Sequence, residues 1–199
     1  MGMRQAERRA RTSQRLLDAA ADVFTRLGFH AATVDDIADA AGYSKGAVYG
    51  NFAGKDALFL ALLDRHLDDQ FTQVDLLLSA ASDADLQSGL HDASTEHMTA
   101  GGSFGLLMLE FWLYAARNAE ARAALAARYE RMRDRLAVVI ADRDAARGIA
   151  DSRAPDEVAA LVLAVDAGLF LQHLIDPKAI TPDLRANALV AVIDPTRHD

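Results

Sequence analysis

Apolar residues recur every three or four positions along most of the chain, which is the spacing of one face of an α-helix. The first such stretch carries Leu16, Ala20 and Phe24 and stops at Gly28. Further stretches follow over residues 55–79, 104–116, 120–147, 155–175 and 182–193. Prolines are few, Ala and Leu are abundant, and alternating β-branched runs are scarce. The pattern therefore predicts an all-α protein.

Residues 33–52 contain two short helical patterns joined by a turn. Thr33 is a typical N-cap residue, and Asp36 three positions later supplies the acidic partner of a capping box. Gly42 provides the turn, because glycine adopts a positive φ at little cost. Ser44 is the expected N-cap of the second helix. The arrangement predicts a helix-turn-helix, although an αα-corner inside an all-helical protein would give the same pattern.

The second short helix carries small, basic and aromatic residues on one face. Val48 points back towards the first helix, so the opposite face presents Ser44, Lys45, Gly46 and Tyr49. Residues of these types fit the major groove of DNA and its phosphate edges. This face is the first indication of a nucleic-acid partner.

The chain thus has a supporting helix, a short helix, a turn and a second short helix, in that order. The sequence Tyr49-Gly50-Asn51-Phe52-x-x-Lys55-x-x-Leu58 then leads into the next long helix. Together they resemble the N-terminal domain of the tetracycline-repressor (TetR) family of one-component bacterial regulators. The resemblance covers roughly residues 10–60, and the rest of the chain matches only in its helical architecture. The family more often has His at the position of Asn51, whose amide can still donate to a phosphate.

The resemblance implies which residues contact DNA. Ser44 and Lys45 would approach base edges, with Tyr43 and Gly46 beside them. Contacts to phosphate are implied for Thr33, Tyr49, Asn51 and Lys55. The partner implied is a palindromic double-stranded operator, which is read by a two-fold protein.

The distribution of charge agrees with a DNA-binding N-terminus, although the net charge of the chain is −8. Residues 1–55 hold eight Lys or Arg and six Asp or Glu, whereas the remainder carries a balance of −10. Five arginines, the first of them Arg4, stand against the single acid Glu7 within the first 15 residues. Such an arm can neutralise phosphates, while an acidic body is repelled by DNA.

Composition excludes several other classes of protein. The chain has no cysteine, so neither disulfides nor a cysteine metal site is expected. No run approaches the roughly 18 apolar residues of a membrane span, and the basic N-terminus lacks an apolar signal core. We expect no membrane partner and a cytoplasmic location.

Catalytic motifs are absent from the sequence, so we expect neither an enzyme nor a cofactor. There is no G-x-G-x-x-G, P-loop, H-E-x-x-H or G-x-S-x-G sequence. None of the six histidines forms an i, i+4 pair. A metal site assembled across helices from His66, His97 or His173 and a carboxylate stays open as an alternative, although no metal is predicted.

The part of the chain after residue 55 is unusually rich in large, adaptable side chains with a few polar groups among them. Such a mixture is typical of small-molecule pockets between helices, although each residue taken singly also fits an ordinary core. The candidate effector-binding residues are His66, Phe71, His97, Phe104, Met108, Glu110, Phe111, Trp112, Tyr129, Met132 and His173. Glu110 interrupts a nearly continuous apolar helix, so its carboxylate either faces a ligand or makes a structural hydrogen bond.

The last two predicted helices are apolar over more of their surface than one small core can absorb. In the family that the chain resembles, the corresponding pair packs against its twin as a dimeric four-helix bundle. We therefore expect a homodimer in which residues 1–54 form a three-helix helix-turn-helix domain and residues 55–199 form a larger helical domain for effector binding and dimerisation.

The expected function is that of a ligand-responsive transcriptional regulator, most simply a repressor. The alternative is a helical ligand-binding protein or enzyme whose helix-turn-helix is only scaffold.

Overall fold

The computed structural model describes residues 2–78, 82–100, 102–149 and 153–194, and every regular element within them is an α-helix. The helices are α1 (Gly2–Ala31), α2 (Val34–Ala41), α3 (Lys45–Tyr49), α4 (Lys55–Leu78), α5 (Asp83–Ala100), α6 (Gly102–Arg117), α7 (Ala119–Arg147), α8 (Pro155–His173) and α9 (Pro182–Ile193). The all-α prediction is confirmed. No helix in these ranges combines the length and the apolar character that crossing a bilayer demands.

The chain forms two compact units, each of which takes more than one stretch of sequence. The first unit comprises Met1–Asp68 and Leu106–Ala126, and the second comprises Asp69–Gly105 and Ala127–Asp199. Helices α4, α6 and α7 therefore each contribute residues to both units. The predicted division into residues 1–54 and 55–199 stays a prediction.

The ends of the first helices follow the predicted local signals. Helix α1 is interrupted at Gly28, whose φ of 76° and ψ of 168° are not helical. The Thr33 hydroxyl accepts from the Asp36 N–H at 3.1 Å, and the Asp36 carboxylate accepts from the Thr33 N–H at 2.9 Å. This reciprocal pair is the predicted capping box. Gly42 ends α2 with a left-handed φ of 70°, which confirms its predicted role in the turn.

An aromatic cluster forms the core of the first unit. Phe24, Phe29, Phe59 and Phe111 are all fully buried and come from α1, α4 and α6. The rings of Phe59 and Phe111 stack with centroids 4.1 Å apart, and Phe29 meets both edge-on. Burial of four large rings stabilises this unit and joins the second half of α6 to α1 and α4.

The second unit is held by a buried polar cluster as well as by its apolar core. Helix α9 packs against both α5 and α8. At this junction the buried Arg185 donates from Nε to Asp166 Oδ1 at 2.6 Å and from Nη1 to the fully buried Ser94 Oγ at 2.8 Å. Because a buried guanidinium is costly without partners, these bonds fix α9 against the other two helices.

Predicted helix ends in the later part of the chain are partly confirmed. Helix α9 has the predicted bounds, and α8 ends at His173 rather than at residue 175. The predicted end of α4 at Ser79 lies outside the described residues. Helix α6 begins at Gly102, two residues before its predicted start.

Candidate DNA-binding interface

The short helix α3 presents the predicted outward face. Ser44 caps it by accepting the Ala47 N–H at 3.2 Å, and Val48 is completely buried against the rest of the first unit. Lys45 and Gly46 are exposed on the other side, and Tyr49 is 52% exposed. The local sequence therefore orients α3 with its polar face towards solvent.

Lys45 is paired with an acid from the preceding helix. Its Nζ lies 2.9 Å from Oδ2 of Asp35, and both side chains are more than half exposed. The Asp35 carboxylate, which accepts this hydrogen bond, raises the pKa of the Lys45 ammonium. Lys45 is thus fully charged and held at the start of α3.

Gly46 leaves an open space beside Lys45. A Cβ atom built at Gly46 would meet nothing closer than the Ser44 Oγ, 3.8 Å away. The helix geometry at this position does not require glycine, because its φ is not positive. The missing side chain allows another molecule to approach the backbone of α3.

The N-terminal helix α1 contacts residues at both ends of α3, which the sequence pattern did not predict. Hydrogen bonds from the side chains of Thr12 and then Arg15 lower the pKa of Tyr43. Arg9 Nη2 donates to the carbonyl of Gly50, the C-cap of α3, at 3.2 Å. These partners lie about 30 to 40 residues apart in sequence, so no local periodicity reveals them. The side chain of Arg4 lies outside the described part of the chain.

Three of the predicted phosphate contacts already have hydrogen bonds within the first unit. Thr33 Oγ1 lies 2.6 Å from Asp36 Oδ2, and the hydrogen bonds from the Thr33 side chain and backbone lower the pKa of the Asp36 carboxyl.

Asn51 and Lys55 also have partners in the first unit. Asn51 Nδ2 donates to the Ala47 carbonyl at 2.8 Å. Lys55 Nζ donates to the carbonyls of Phe29 and His30 at 2.8 and 3.2 Å. An Asn amide has two N–H donors and an ammonium three, so each retains one for another acceptor.

Helix α6 holds the segment that leads into the helix-turn-helix. Glu110 Oε2 accepts the Phe29 N–H at 2.7 Å and the His30 N–H at 3.4 Å. One turn later, the Tyr114 hydroxyl donates to Asp56 Oδ2 at 2.8 Å. Of the two roles open for Glu110, the structure shows the structural hydrogen bond.

Two family models match the chain over long stretches. Residues 16–62 match "Bacterial regulatory proteins, tetR family", and residues 103–194 match "BetI-type transcriptional repressor, C-terminal". The chain belongs to the TetR family. Members of this family are transcriptional regulators with a helical ligand-binding domain after the DNA-binding domain, and they are not enzymes.

Individual relatives match this TetR-family protein over part of its sequence, and solved structures match it over most of its fold. The transcriptional activator FasR of Mycolicibacterium smegmatis is 43% identical over 84 residues, which are 41% of this chain and 38% of FasR, less than two thirds of its length. A TetR-family regulator from Mesorhizobium loti has the same fold, with a TM-score of 0.72 at 20% identity over 94% of this chain and 95% of that one. Bacillus subtilis FadR, solved with stearoyl-CoA, gives a TM-score of 0.68 at 16% identity over 90% of this chain and 97% of FadR.

The candidate effector-binding residues of this TetR-family protein fall into both compact units. His66, Met108, Glu110, Phe111 and Trp112 belong to the first unit, where Phe111 is part of the aromatic core. Phe71, His97, Phe104, Tyr129, Met132 and His173 belong to the second unit. Their role in binding an effector stays a prediction.

Several candidates in the second unit have defined surroundings. The Arg135 guanidinium lies over the ring of buried Phe71, 4.5 Å from its centroid. The half-buried His97 ring meets Phe170 edge-on at 4.9 Å, and burial lowers the pKa of His97. His173 Nδ1 lies 2.7 Å from the Ile180 carbonyl. Among the described residues, no three His, Asp or Glu side chains converge as a metal site requires.

Proposed function

We propose that this TetR-family protein binds a palindromic DNA operator as a homodimer and leaves it when a small apolar or amphipathic molecule binds the helical domain. The observation that carries the proposal is the outward face of α3. Lys45, Gly46 and Tyr49 are exposed there on a helix whose opposite face is fixed by buried Val48. Such a regulator acts in the cytoplasm, where its operator is found.

The DNA contacts divide between bases and phosphates. Ser44 and Lys45 approach base edges, and Tyr43 is close to them. Thr33, Tyr49, Asn51 and Lys55 bind phosphates, for which Asn51 and Lys55 have one remaining donor each. Gly46 lets the DNA backbone approach α3.

Helices α8 and α9 form the dimer interface. Leu161 on α8 and Leu184 on α9 are 46% and 42% exposed in the single chain. Further along α8, Val162, Val165 and Leu169 are only half-buried. A second copy would cover these apolar side chains and bring two heads to one two-fold operator.

The effector is apolar or amphipathic, because the residues proposed to contact it are mostly large apolar side chains with a few polar groups. Phe104, Tyr129 and Met132 are half-buried in the second unit, and His97 on α5 is a polar candidate in the same unit. FadR, which shares the fold, was solved with the amphipathic ligand stearoyl-CoA. An effector would release DNA only through its greater affinity for the form of the dimer that does not fit the operator.

The direction of regulation is repression. The match of residues 103–194 to the BetI-type repressor model supports it, whereas FasR is an activator. A reporter gene placed behind the operator tests this directly. Expression should fall when the protein is present and recover when the operator is scrambled, and a rise in expression would make the protein an activator.

A gel shift with DNA from upstream of the protein's own gene tests the DNA-binding proposal. Binding should be saturable and should weaken steeply as salt is raised, because bound phosphates release their counterions. Absence of binding at low salt would reduce the helix-turn-helix to scaffold and favour a helical ligand-binding protein or enzyme.

A further inference from the structure

Helix α2, which packs against α3, carries acids, and a phosphate backbone repels carboxylates. Helix α2 contributes Asp35, Asp36 and Asp39. Asp36 belongs to the capping box, so its carboxylate is needed by the fold. Asp35 lies in the first turn of α2, where a carboxylate interacts favourably with the helix N-terminus, and its carboxylate also lies against Lys45. The helix N-terminus accounts for an acid at this position, but it does not account for the pairing of that acid with Lys45 on α3.

The pairing of Asp35 with Lys45 is not explained by stability. Both side chains are more than half exposed, and ion pairs of this kind contribute little to folding. The pair joins residues ten positions apart, one in the first turn of α2 and the other in the first turn of α3. It places a cation and a carboxylate side by side on the face that also carries Gly46.

We propose that Asp35 and Lys45 together read one G·C base pair in the operator, with Lys45 on the guanine and Asp35 on the cytosine. This inference rests on the proposed DNA-binding function. In the major groove a G·C pair presents two neighbouring acceptors, guanine N7 and O6, followed by the cytosine N4 donor. The Lys45–Asp35 pair presents the complement, donors followed by an acceptor.

The hydrogen-bonding capacity of the two side chains is sufficient for this contact. An ammonium has three N–H donors, so one bond to Asp35 leaves two for guanine N7 and O6. A carboxylate has about four acceptor positions, so Asp35 can accept from Lys45 and from cytosine N4 together. The ion pair seen in the DNA-free protein would therefore persist in the complex.

The same geometry discriminates against A·T pairs. The adenine N6 donor lies between the acceptors adenine N7 and thymine O4, so an A·T pair offers no two adjacent acceptors to Lys45. Without Asp35, Lys45 would be a lone cation that any base acceptor or phosphate could attract. Asp35 is thus a specificity-determining residue, and its loss should relax sequence preference more than it weakens binding.

Selection from a randomised DNA library tests the proposal on the full-length protein. Wild type, Asp35→Ala and Lys45→Ala are each used to enrich bound sequences, and Asp39→Ala is the matched control because it removes an exposed acid from the same helix. Wild type and Asp39→Ala should prefer G·C at one position of each half-site by about tenfold or more. Asp35→Ala and Lys45→Ala should both lose that preference at the same position. Circular dichroism checks that all four proteins are folded.

The outcomes separate this inference from the proposed function. If wild type enriches no sequence, the proposed function fails. If wild type enriches an operator but Asp35→Ala keeps the same base preferences, the paired reading is wrong. The paired reading is also wrong if the position at which Asp35→Ala loses its preference is an A·T pair in the operator of the wild type. Equal gains in affinity for all sequences with Asp35→Ala and Asp39→Ala would show that both acids only repel phosphate.

Discussion

At the scale of single residues, Glu110 shows where sequence reasoning stops. Its interruption of an apolar helix predicts that the carboxylate has a partner, and two roles fit that pattern. The partners found are the N–H groups of Phe29 and His30, about 80 residues earlier in the chain. Because these groups lie just after the break at Gly28, only the packing of α6 on α1 reveals the contact.

The contact between Gly28 and Glu110 can be tested by a double-mutant cycle. A Cβ at Gly28 would lie 2.8 Å from both carboxylate oxygens of Glu110, and the φ of 76° disfavours other residues. Gly28→Ala should lower the free energy of unfolding by more than about 1 kcal/mol, and Glu110→Ala by about 1–3 kcal/mol. Urea denaturation should show that Gly28→Ala costs less when Glu110 is already Ala. Strictly additive effects would mean that the two residues do not interact.

Gly46 allows a second test at this scale, in which stability and DNA binding move in opposite directions. Gly46→Ala should leave the fold intact and stabilise α3 by up to about 1 kcal/mol, since a Cβ has open space and Ala favours the helix. The new methyl group should still weaken operator binding if DNA approaches the backbone here. Thermal unfolding and DNA titration measure the two effects. Unchanged DNA affinity would remove Gly46 from the interface.

At the scale of elements, local sequence signals were sufficient to predict the helix-turn-helix. They were insufficient to predict the contacts that α1 and α6 make around it. Thr33, Gly42 and Ser44 could be recognised because a cap or a turn depends on neighbouring residues. The contact of Arg9 with the carbonyl of Gly50 could not, because it depends on how α1 lies against α3. The position of the second half of α6 in the first unit likewise follows from packing of Phe111 and not from its local pattern.

The N-terminal arm provides the prediction for this scale. Residues 5–11 are exposed, so deletion of residues 1–9 should leave the melting temperature nearly unchanged. The deletion removes three arginines, among them Arg9, and should lower DNA affinity and flatten its dependence on salt. Differential scanning fluorimetry and DNA titration give the two quantities. A large drop in melting temperature would assign the arm a structural role instead.

At the scale of the whole molecule, the helical domain and the dimer are where prediction from sequence was weakest. A large apolar side chain gives the same pattern whether it lies in a core, in a pocket or at an interface. Phe111 was a candidate for effector binding and belongs to the aromatic core, whereas Leu161 remains exposed in the single chain. Only three-dimensional packing distinguishes these cases.

A charge placed on α8 tests the dimer. Val165→Asp should give a folded, helical monomer with weakened operator binding, because a carboxylate buried at a subunit interface costs several kcal/mol. Val158→Asp is the matched control on the same helix. Val158 is 1% exposed, so that variant should unfold or aggregate. Sedimentation together with circular dichroism decides, and a folded dimer of Val165→Asp would place the interface elsewhere.

Titration of the selected operator with the full-length protein, over a series of salt concentrations, measures DNA binding by the face of α3. We expect saturable binding by two chains per operator and a logarithm of affinity that falls linearly with the logarithm of salt concentration. Lys55→Ala should flatten that line, and Lys45→Ala should also reduce the preference for operator over random DNA. No saturable binding at low salt, or equal affinity of the wild type for operator and random DNA, would show that the face of α3 is not a specific DNA-binding surface.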